Sequence, residues 1–443
     1  MKTPIYDFVR RYADSGAMRL HMPGHKGAGD IERYDITEIN GADSLYEAEG
    51  IIAESEKNAS EIFDCSTFYS TEGSSHCIRA MLYLAGLRAA EQGKKLKVLA
   101  LRNAHKTFLS AAALLDFQVC WVYPDESESY LSCSITAEKL GAELDKYGYA
   151  VTAVYVTSPD YLGNIADIKA IAEVCRKYGV LLLVDNAHGA YLRFLSPSLH
   201  PIDLGADICC DSAHKTLPVL TGGAYLHVAD NKLVKYAKNA LALFGSTSPS
   251  YLILQSLDKA NEYLAADYPE RLKKLCVEIN QLKEDLHKKG YTVVGNELTK
   301  VTIAAKTYGY TGIELADILR QKGIECEFAD PDYLVLMLTP EISEAIPYIK
   351  EVLVNIGKKE PILVSPPSFA NAEAVVSVRE AMLSPSETVD VGDSIDRILA
   401  AATVGCPPAV PIVVSGEKIN SRCIECFEYY GIKKCVVMKK SPF

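Results

Sequence analysis

Long apolar runs are missing from this chain of 443 residues. None approaches the ~18–20 residues that a membrane helix needs, and the opening stretch MKTPIYDFVRRYADSG has no apolar core of the kind a secretory signal carries. The expectation is a cytoplasmic protein with no membrane partner. Positive charge is also short, because 46 Lys and Arg against 57 Asp and Glu leave a formal net charge of −11. Phosphate backbones are bound by a net basic face, so this balance argues against a nucleic-acid partner. It mildly favours a cationic small substrate, with a solvated acidic surface as the plain alternative. Dense cysteine pairing is absent too: thirteen cysteines are scattered from Cys65 to Cys435, an odd number without the short loops of a disulfide scaffold. Reduced, buried thiols are expected. Cys423 and Cys426 have CxxC spacing with Cys435 nearby, but no fourth ligand is evident, so no metal site is expected.

What is present is an ordinary globular balance, 49% hydrophobic and 23% charged. At ~100–200 residues per domain the length suggests two or three domains. From about residue 50 to 230, amphipathic segments (AESEKNASEIF, HCIRAMLYLAGLRAAEQ, TAEKLGAELDKY, DIKAIAEVCRKYG) alternate with short apolar runs (KVLALR, QVCWVYP, AVTAVYVTSP, VLLLVDNA, ADICCDSA, GGAYLHV). Strands apolar on both faces and separated by helices predict an α/β fold whose mainly parallel sheet carries helices on both sides. After Ser246 two helices follow, with the break near Pro269, and then a smaller α+β unit. The reading divides the chain into an arm (1–45), a large domain (46–268), a small α+β domain (269–360) and a C-terminal extension (361–443). The arm, with MRLHMPGHKGAGD, is expected to be an extension rather than a packed element.

Four segments carry chemistry. Lys215, in DSAHKTLPVLTGG, sits just past an apolar strand, where an amine is costly unless it has a role or a partner. A surface lysine at a strand end is the plain alternative. Asp185 ends the run VLLLVD, and parallel sheets bind ligands at the carboxyl ends of their strands; an aspartate capping the next helix would look the same. Gly73, Ser74 and Ser75 open an amphipathic helix and offer N–H and hydroxyl groups to a phosphate, although they are also ordinary caps. His105 follows the strand KVLALR, where a lone histidine also serves as a structural residue or a cap. An amine, a buried acid, a phosphate cradle and a planar ring at four strand ends are together what pyridoxal phosphate requires.

On these motifs the chain resembles fold-type-I pyridoxal-phosphate enzymes, in particular the short-form bacterial ornithine/lysine/arginine decarboxylases. RLHMPGHKG, STEGSS, RNAHKTF, TSPDYLG, DNAHG, SAHKTL and GCPPAVPIVVSGEKI are similar to family motifs, SAHKTL with DNAHG being the most specific pair. The resemblance implies that Lys215 carries the cofactor and Asp185 partners its ring nitrogen, with His105 stacked above the ring and Ala187 beneath it. Gly73, Ser74 and Ser75 would hold the phosphate, with Ser212 and His214 adding donors. His188 would lie near the cofactor's phenolic oxygen or the substrate carboxylate.

The implied activity is decarboxylation of arginine, lysine or ornithine to agmatine or a diamine, by a homodimer or higher homo-oligomer. The arm around His21 to Gly27 and the segment Asp43 to Glu49 are expected near the subunit interface. Asp43, Glu47 and Asp160 are candidates for the distal cation. The chain departs from the family pattern at Asn186, at Asp160, and at Cys406 with Ala409, and it lacks a glutamate that often precedes the C-terminal element. Two alternatives stay open. An aminotransferase or lyase of the same fold would clamp the α-carboxylate with Arg379, Arg397 or Arg422, and a cofactor-binding but silent regulatory paralogue would keep the lysine and aspartate.

Overall fold

The computed structural model describes residues 1–124, 131–406 and 410–439, without side chains at 405, 406 and 410. Ala409 therefore lies outside the described residues. Two interleaved compact units make up the chain, Met1–Lys95 with Ile168–Lys273, and Leu96–Asp167 with Lys274–Phe443. A first strand, β1 (Ser66–Ser70), precedes the six apolar runs, which become strands β2 (Lys97–Leu101), β3 (Gln118–Val122), β4 (Ala153–Thr157), β5 (Leu181–Asp185), β6 (Ile208–Asp211) and β7 (Ala224–Val228). The helices among and before them are α1 (Pro4–Asp14), α2 (Ile51–Phe63), α3 (Ser74–Glu91), α4 (Lys106–Leu115), α5 (Ala137–Tyr147), α6 (Ile168–Tyr178) and α7 (Ala213–Thr216).

In the first unit the strand order is β1-β7-β6-β5. β5 and β6 run parallel, while β7 is antiparallel to both β6 and β1. Every residue of β5, β6 and β7 is buried, as continuous apolar runs lacking a polar face require. The register decides which residues share a face. Asp185, Cys210, Leu226 and Phe68 are aligned across the strands, and Cys209, His227 and Thr67 are aligned one residue away, on the opposite face. α3 packs on β5, β6 and β7, and α2 packs on β1.

The opening segment differs from the sequence expectation in part. Residues 4–14 form α1, started by Pro4 at its first turn, and Ile5 and Val9 are buried one turn apart where the helix packs on the helix Tyr251–Leu264. Proline at the first helical position costs no hydrogen bond, so it initiates here rather than breaks. The stretch beyond is arm-like, with Met18 and Leu20 more than four-fifths exposed.

In the second unit β4, β2 and β3 are parallel, in that order. A four-stranded antiparallel sheet, Phe328–Ala329, Tyr333–Met337, Lys300–Ala304 and Val293–Val294, forms the smaller α+β layer. The C-terminal stretch is folded as well: Ser386–Asp390 pairs with Lys434–Met438, and Thr403–Cys406 pairs with Val410–Val414. A buried bidentate pair, Arg102 with Glu417 at 2.8 and 2.7 Å, links β2's end to this stretch. Among the described residues no helix is long and apolar enough to cross a membrane. The twelve described cysteines are free thiols.

Candidate active site

Nine of the ten sequence-predicted site residues belong to the first unit, carried by three neighbouring pieces of backbone. β5 delivers Asp185, which is buried. Its Oδ1 accepts a hydrogen bond from the N–H of Ala187 at 3.3 Å and a weak one from the Cys210 thiol at 3.8 Å. Burial, reinforced by the Asp185 charge, pushes the Cys210 thiol well up, so it stays a protonated donor. Cys210 touches a candidate residue and was not singled out by sequence reading. Its signal was the alignment of Asp185 with Cys210 across two parallel strands, which only the register reveals.

After β5 the chain turns tightly, with the Gly189 N–H bonded to the Asn186 carbonyl at 2.8 Å. This turn places His188 Nε2 3.0 Å from Lys215 Nζ. Lys215 rides on the short helix α7, whose start is set by Ser212, with Lys215 N–H to Ser212 carbonyl at 2.9 Å. Lys215 and Ala187 are half-buried, His188 buried.

The third piece is the start of α3. Gly73 has φ +75°, a conformation that favours glycine, and a Cβ built there meets no atom within 4 Å. It borders open space at the N-terminus of an 18-residue helix, where the helix dipole favours an anion. Ser212 Oγ donates to Ser74 Oγ at 2.7 Å, bringing the two hydroxyl residues together at this end; Ser75 follows in the same turn and is half-buried.

The glycine pair after Lys215 has a specific use. The Gly222 carbonyl accepts the Gly73 N–H at 2.7 Å, and a Cβ on Gly222 would stand 2.7 Å from the Thr71 carbonyl oxygen. Close backbone approach therefore demands glycine. The Gly223 carbonyl lies 3.0 Å from His214 Nδ1, which donates to it. Burial, with the nearby Lys215 charge, lowers the pKa of His214, so the ring is neutral near neutral pH and its Nε2 carries a lone pair. Donation from Nε2 to a phosphate requires a second proton on that ring.

His105 belongs to the second unit, where it caps α4. Its Nδ1 lies 2.9 Å from Thr107 Oγ1 and accepts from the Thr107 N–H at 3.3 Å, so the proton of the neutral ring sits on Nε2. The buried carboxylate, the amine, the paired hydroxyls and the open glycine-lined helix start make a donor set that fits pyridoxal phosphate.

Other candidates are engaged elsewhere. Asp43 accepts N–H bonds from Ser44, Glu49, Gly50, Ile52 and Ala53, so it caps α2. Asp160 is buried and bonded to the Asn164 N–H and Nδ2 at 2.9 and 2.8 Å, and burial pushes its pKa up. Glu47 is exposed. Arg379 caps the end of α4 through the carbonyls of Ala113 and Leu114, Arg397 meets Glu387 and the Met438 carbonyl, and Arg422 meets Glu425.

Comparison with known proteins is consistent across the chain. The family profile described as "Orn/Lys/Arg decarboxylase, major domain" matches residues 3–307. The protein named arginine decarboxylase of Bacillus subtilis (strain 168) is 28% identical over 464 residues, covering 96% of this chain and 92% of that one. The arginine decarboxylase of Halalkalibacterium halodurans is 28% identical over 460 residues, covering 95% and 91%. In fold, the crystal structure of the Francisella novicida lysine decarboxylase matches with a TM-score of 0.76 at 14% identity, covering 99% of this chain and 81% of that one.

Proposed function

The chain belongs to the ornithine/lysine/arginine decarboxylase family, fold-type-I pyridoxal-phosphate-dependent decarboxylases of basic amino acids, and from that premise we propose that it converts arginine, lysine or ornithine to agmatine or the corresponding diamine. The observation that carries this is the Lys215–His188 contact beside Asp185 and the α3 start, all within one compact unit. Arginine is the first substrate to test, because the Bacillus subtilis and Halalkalibacterium halodurans relatives bear the name arginine decarboxylase.

Each residue has a physical task. Lys215 Nζ would hold the cofactor covalently, and Gly73, Ser74, Ser75, Ser212 and His214 would hold its phosphate. Asp185, buried and therefore strongly interacting with any cation it meets, would keep a proton on the ring nitrogen. Ala187 and His105 would bound the ring on its two faces. When bound, pyridoxal phosphate supplies an electron sink for the pair left as the α-carboxylate departs as carbon dioxide. His188 Nε2 would orient the Lys215 amine, and that amine would return a proton to the substrate α-carbon. A poorly solvated carboxylate position favours its loss over other bond cleavages.

Arg379, Arg397 and Arg422 are all held by carbonyls or carboxylates of the second unit, which weighs against a transaminase clamp built from them. The exposed apolar Met18 and Leu20 support a homodimer in which a second copy covers the arm. The test is incubation of the purified protein with pyridoxal phosphate and each amino acid, reading carbon dioxide and product amine. Release from at least one, arginine foremost, is expected. No release from any of the three by protein that retains its cofactor absorbance would sink the proposal.

A further inference from the structure

On the face of β6 and β7 opposite Asp185, four side chains meet that the decarboxylation chemistry does not use: His200, Cys209, Asp211 and His227. All four are buried, and one ligand atom from each lies within 4.8 Å of the others. Strand geometry builds the group. Cys209 and His227 are direct partners in the antiparallel β6/β7 register, so their side chains share a face, and Asp211 two residues along shares it too. His200 enters from the loop that leads into β6.

We infer that these four residues form a tetrahedral binding site for a divalent, zinc-like metal ion. His200 Nε2 and His227 Nε2 each lie 3.1 Å from Asp211 Oδ2, and Cys209 Sγ lies 3.9 Å from His200 Nε2 and 3.8 Å from Asp211 Oδ1. A tetrahedron with metal–nitrogen and metal–oxygen bonds of about 2.0–2.1 Å and a metal–sulfur bond of about 2.3 Å has edges of about 3.3–3.6 Å. Those four separations, taken to one or the other Asp211 oxygen, lie within about 0.4 Å of that, and the whole set stays within 4.8 Å, so small side-chain adjustments would close the tetrahedron around an ion. Two imidazoles, a thiolate and a carboxylate suit a borderline-soft ion better than magnesium or calcium, which take oxygen ligands.

Charge and orientation argue the same way. Neither lysine nor arginine bonds to Asp211 among the described residues; its partners are His200, His227, Cys209 and Asn186. A carboxylate and a thiolate around a dication sum to zero, which suits a core position where an uncompensated charge is costly. His227 is oriented from behind: Thr67 Oγ1 donates to the Cys65 carbonyl at 3.2 Å, leaving it to accept from His227 Nδ1 at 2.9 Å. With an ion on Nε2 the ring's proton would sit on Nδ1, where Thr67 holds it, the arrangement metal-bound imidazoles use. Asn186 Nδ2 donates to Asp211 Oδ1 at 2.7 Å and sets the carboxylate plane. The Phe63 ring, 4.5 Å from His227 and 5.5 Å from His200 between centroids, closes the site with apolar surface. His200 Nδ1 has no partner, so that ring is held through Nε2 alone.

The ion would tie the loop before β6 to β6 and β7, whose ends carry Ser212 and, through Asn186, adjoin Asp185. Its role is structural and positioning, and it stands or falls independently of the substrate.

Untagged holoenzyme, desalted in metal-free buffer, is expected to contain about one zinc ion per chain by elemental analysis. Cys209→Ser and Asp211→Asn should bring that to background, while Cys175→Ser, a buried cysteine of α6, should keep it. Protein produced in cobalt(II) chloride should show tetrahedral d–d bands with a thiolate-to-cobalt charge-transfer band that Cys209→Ser lacks. Background metal in folded wild-type protein overturns the inference, and so does a Cys209→Ser protein retaining both the metal and the charge-transfer band. Should the variants fail to fold, the wild-type cobalt spectrum decides, since absence of the thiolate band excludes Cys209 as a ligand.

Discussion

Lys300, in the second unit, is 2% exposed, with Nζ 3.0 Å from Glu297 and 3.1 Å from the Asp160 carbonyl oxygen. In the same unit Arg102 and Glu417 are sealed completely and joined by two bonds. Lys215, in the first unit, is half-buried beside His188, and Gly73, Ser74, Ser75 and His214 are half-buried with it. A structural ion pair gains by exclusion of water once both charges are matched, because the attraction is weakly screened. An amine proposed to react must instead stay reachable by cofactor and substrate.

The contrast is broken or sharpened by four measurements, the largest effect first. Lys215→Ala should lower carbon dioxide release by at least about 10³-fold and abolish the cofactor absorbance. Lys106→Ala, the exposed lysine at the start of α4, should keep that absorbance. Retention of the absorbance in Lys215→Ala would falsify the assignment of the cofactor lysine. Glu417→Gln should destabilise the second unit by about 3–5 kcal/mol, because it leaves the Arg102 charge buried and unpaired. The double change Arg102→Met with Glu417→Leu should recover much of the loss; denaturant unfolding distinguishes the two, and equal losses would mean that packing rather than charge matters there.

His188→Gln should reduce kcat by about 10²-fold and alter the pH profile, while cofactor binding persists. A kcat unchanged within twofold would remove His188 from proton handling. The smallest effect concerns Asp330, whose carboxyl is pushed up to about 6 by burial and then by Asp332. Its Oδ1 accepts the N–H groups of Asp332 and Tyr333 at 2.7 and 2.6 Å, contacts an asparagine would keep. Since the folded pKa lies above the unfolded one, the folded state binds the extra proton between about pH 4 and 6, and stability declines as pH rises through that window. Asp330→Asn should therefore be about 1–3 kcal/mol more stable than the parent at pH 7.5 and nearly equal to it at pH 4. A Tm difference that is the same at both pH values contradicts this.

Local pattern was enough to single out Lys215, Asp185 and the start of α3 as candidates, since each lies at the end of an apolar run or the opening of an amphipathic one. It carried the arm back over residues 4–14 on the strength of the Pro and Gly in MRLHMPGHKGAGD, whereas Pro4 starts a helix there. Asp43 looked like a candidate for a substrate cation until its five N–H partners came together around the start of α2. The Arg102–Glu417 pair spans 315 residues, a separation at which no periodicity signals contact.

The order of apolar and amphipathic segments, through the two-residue and 3.6-residue periods of strand and helix, by itself determined the α/β class and the strand ends at which the candidate residues lie. Register and long-range pairing decided the rest. Cys210 and Asp185 on one face, and Cys209 with His227 on the other, follow from how β5, β6 and β7 align. A one-residue slip in β6 would exchange those faces, and that alignment is set by packing between segments that neither sequence position nor composition records.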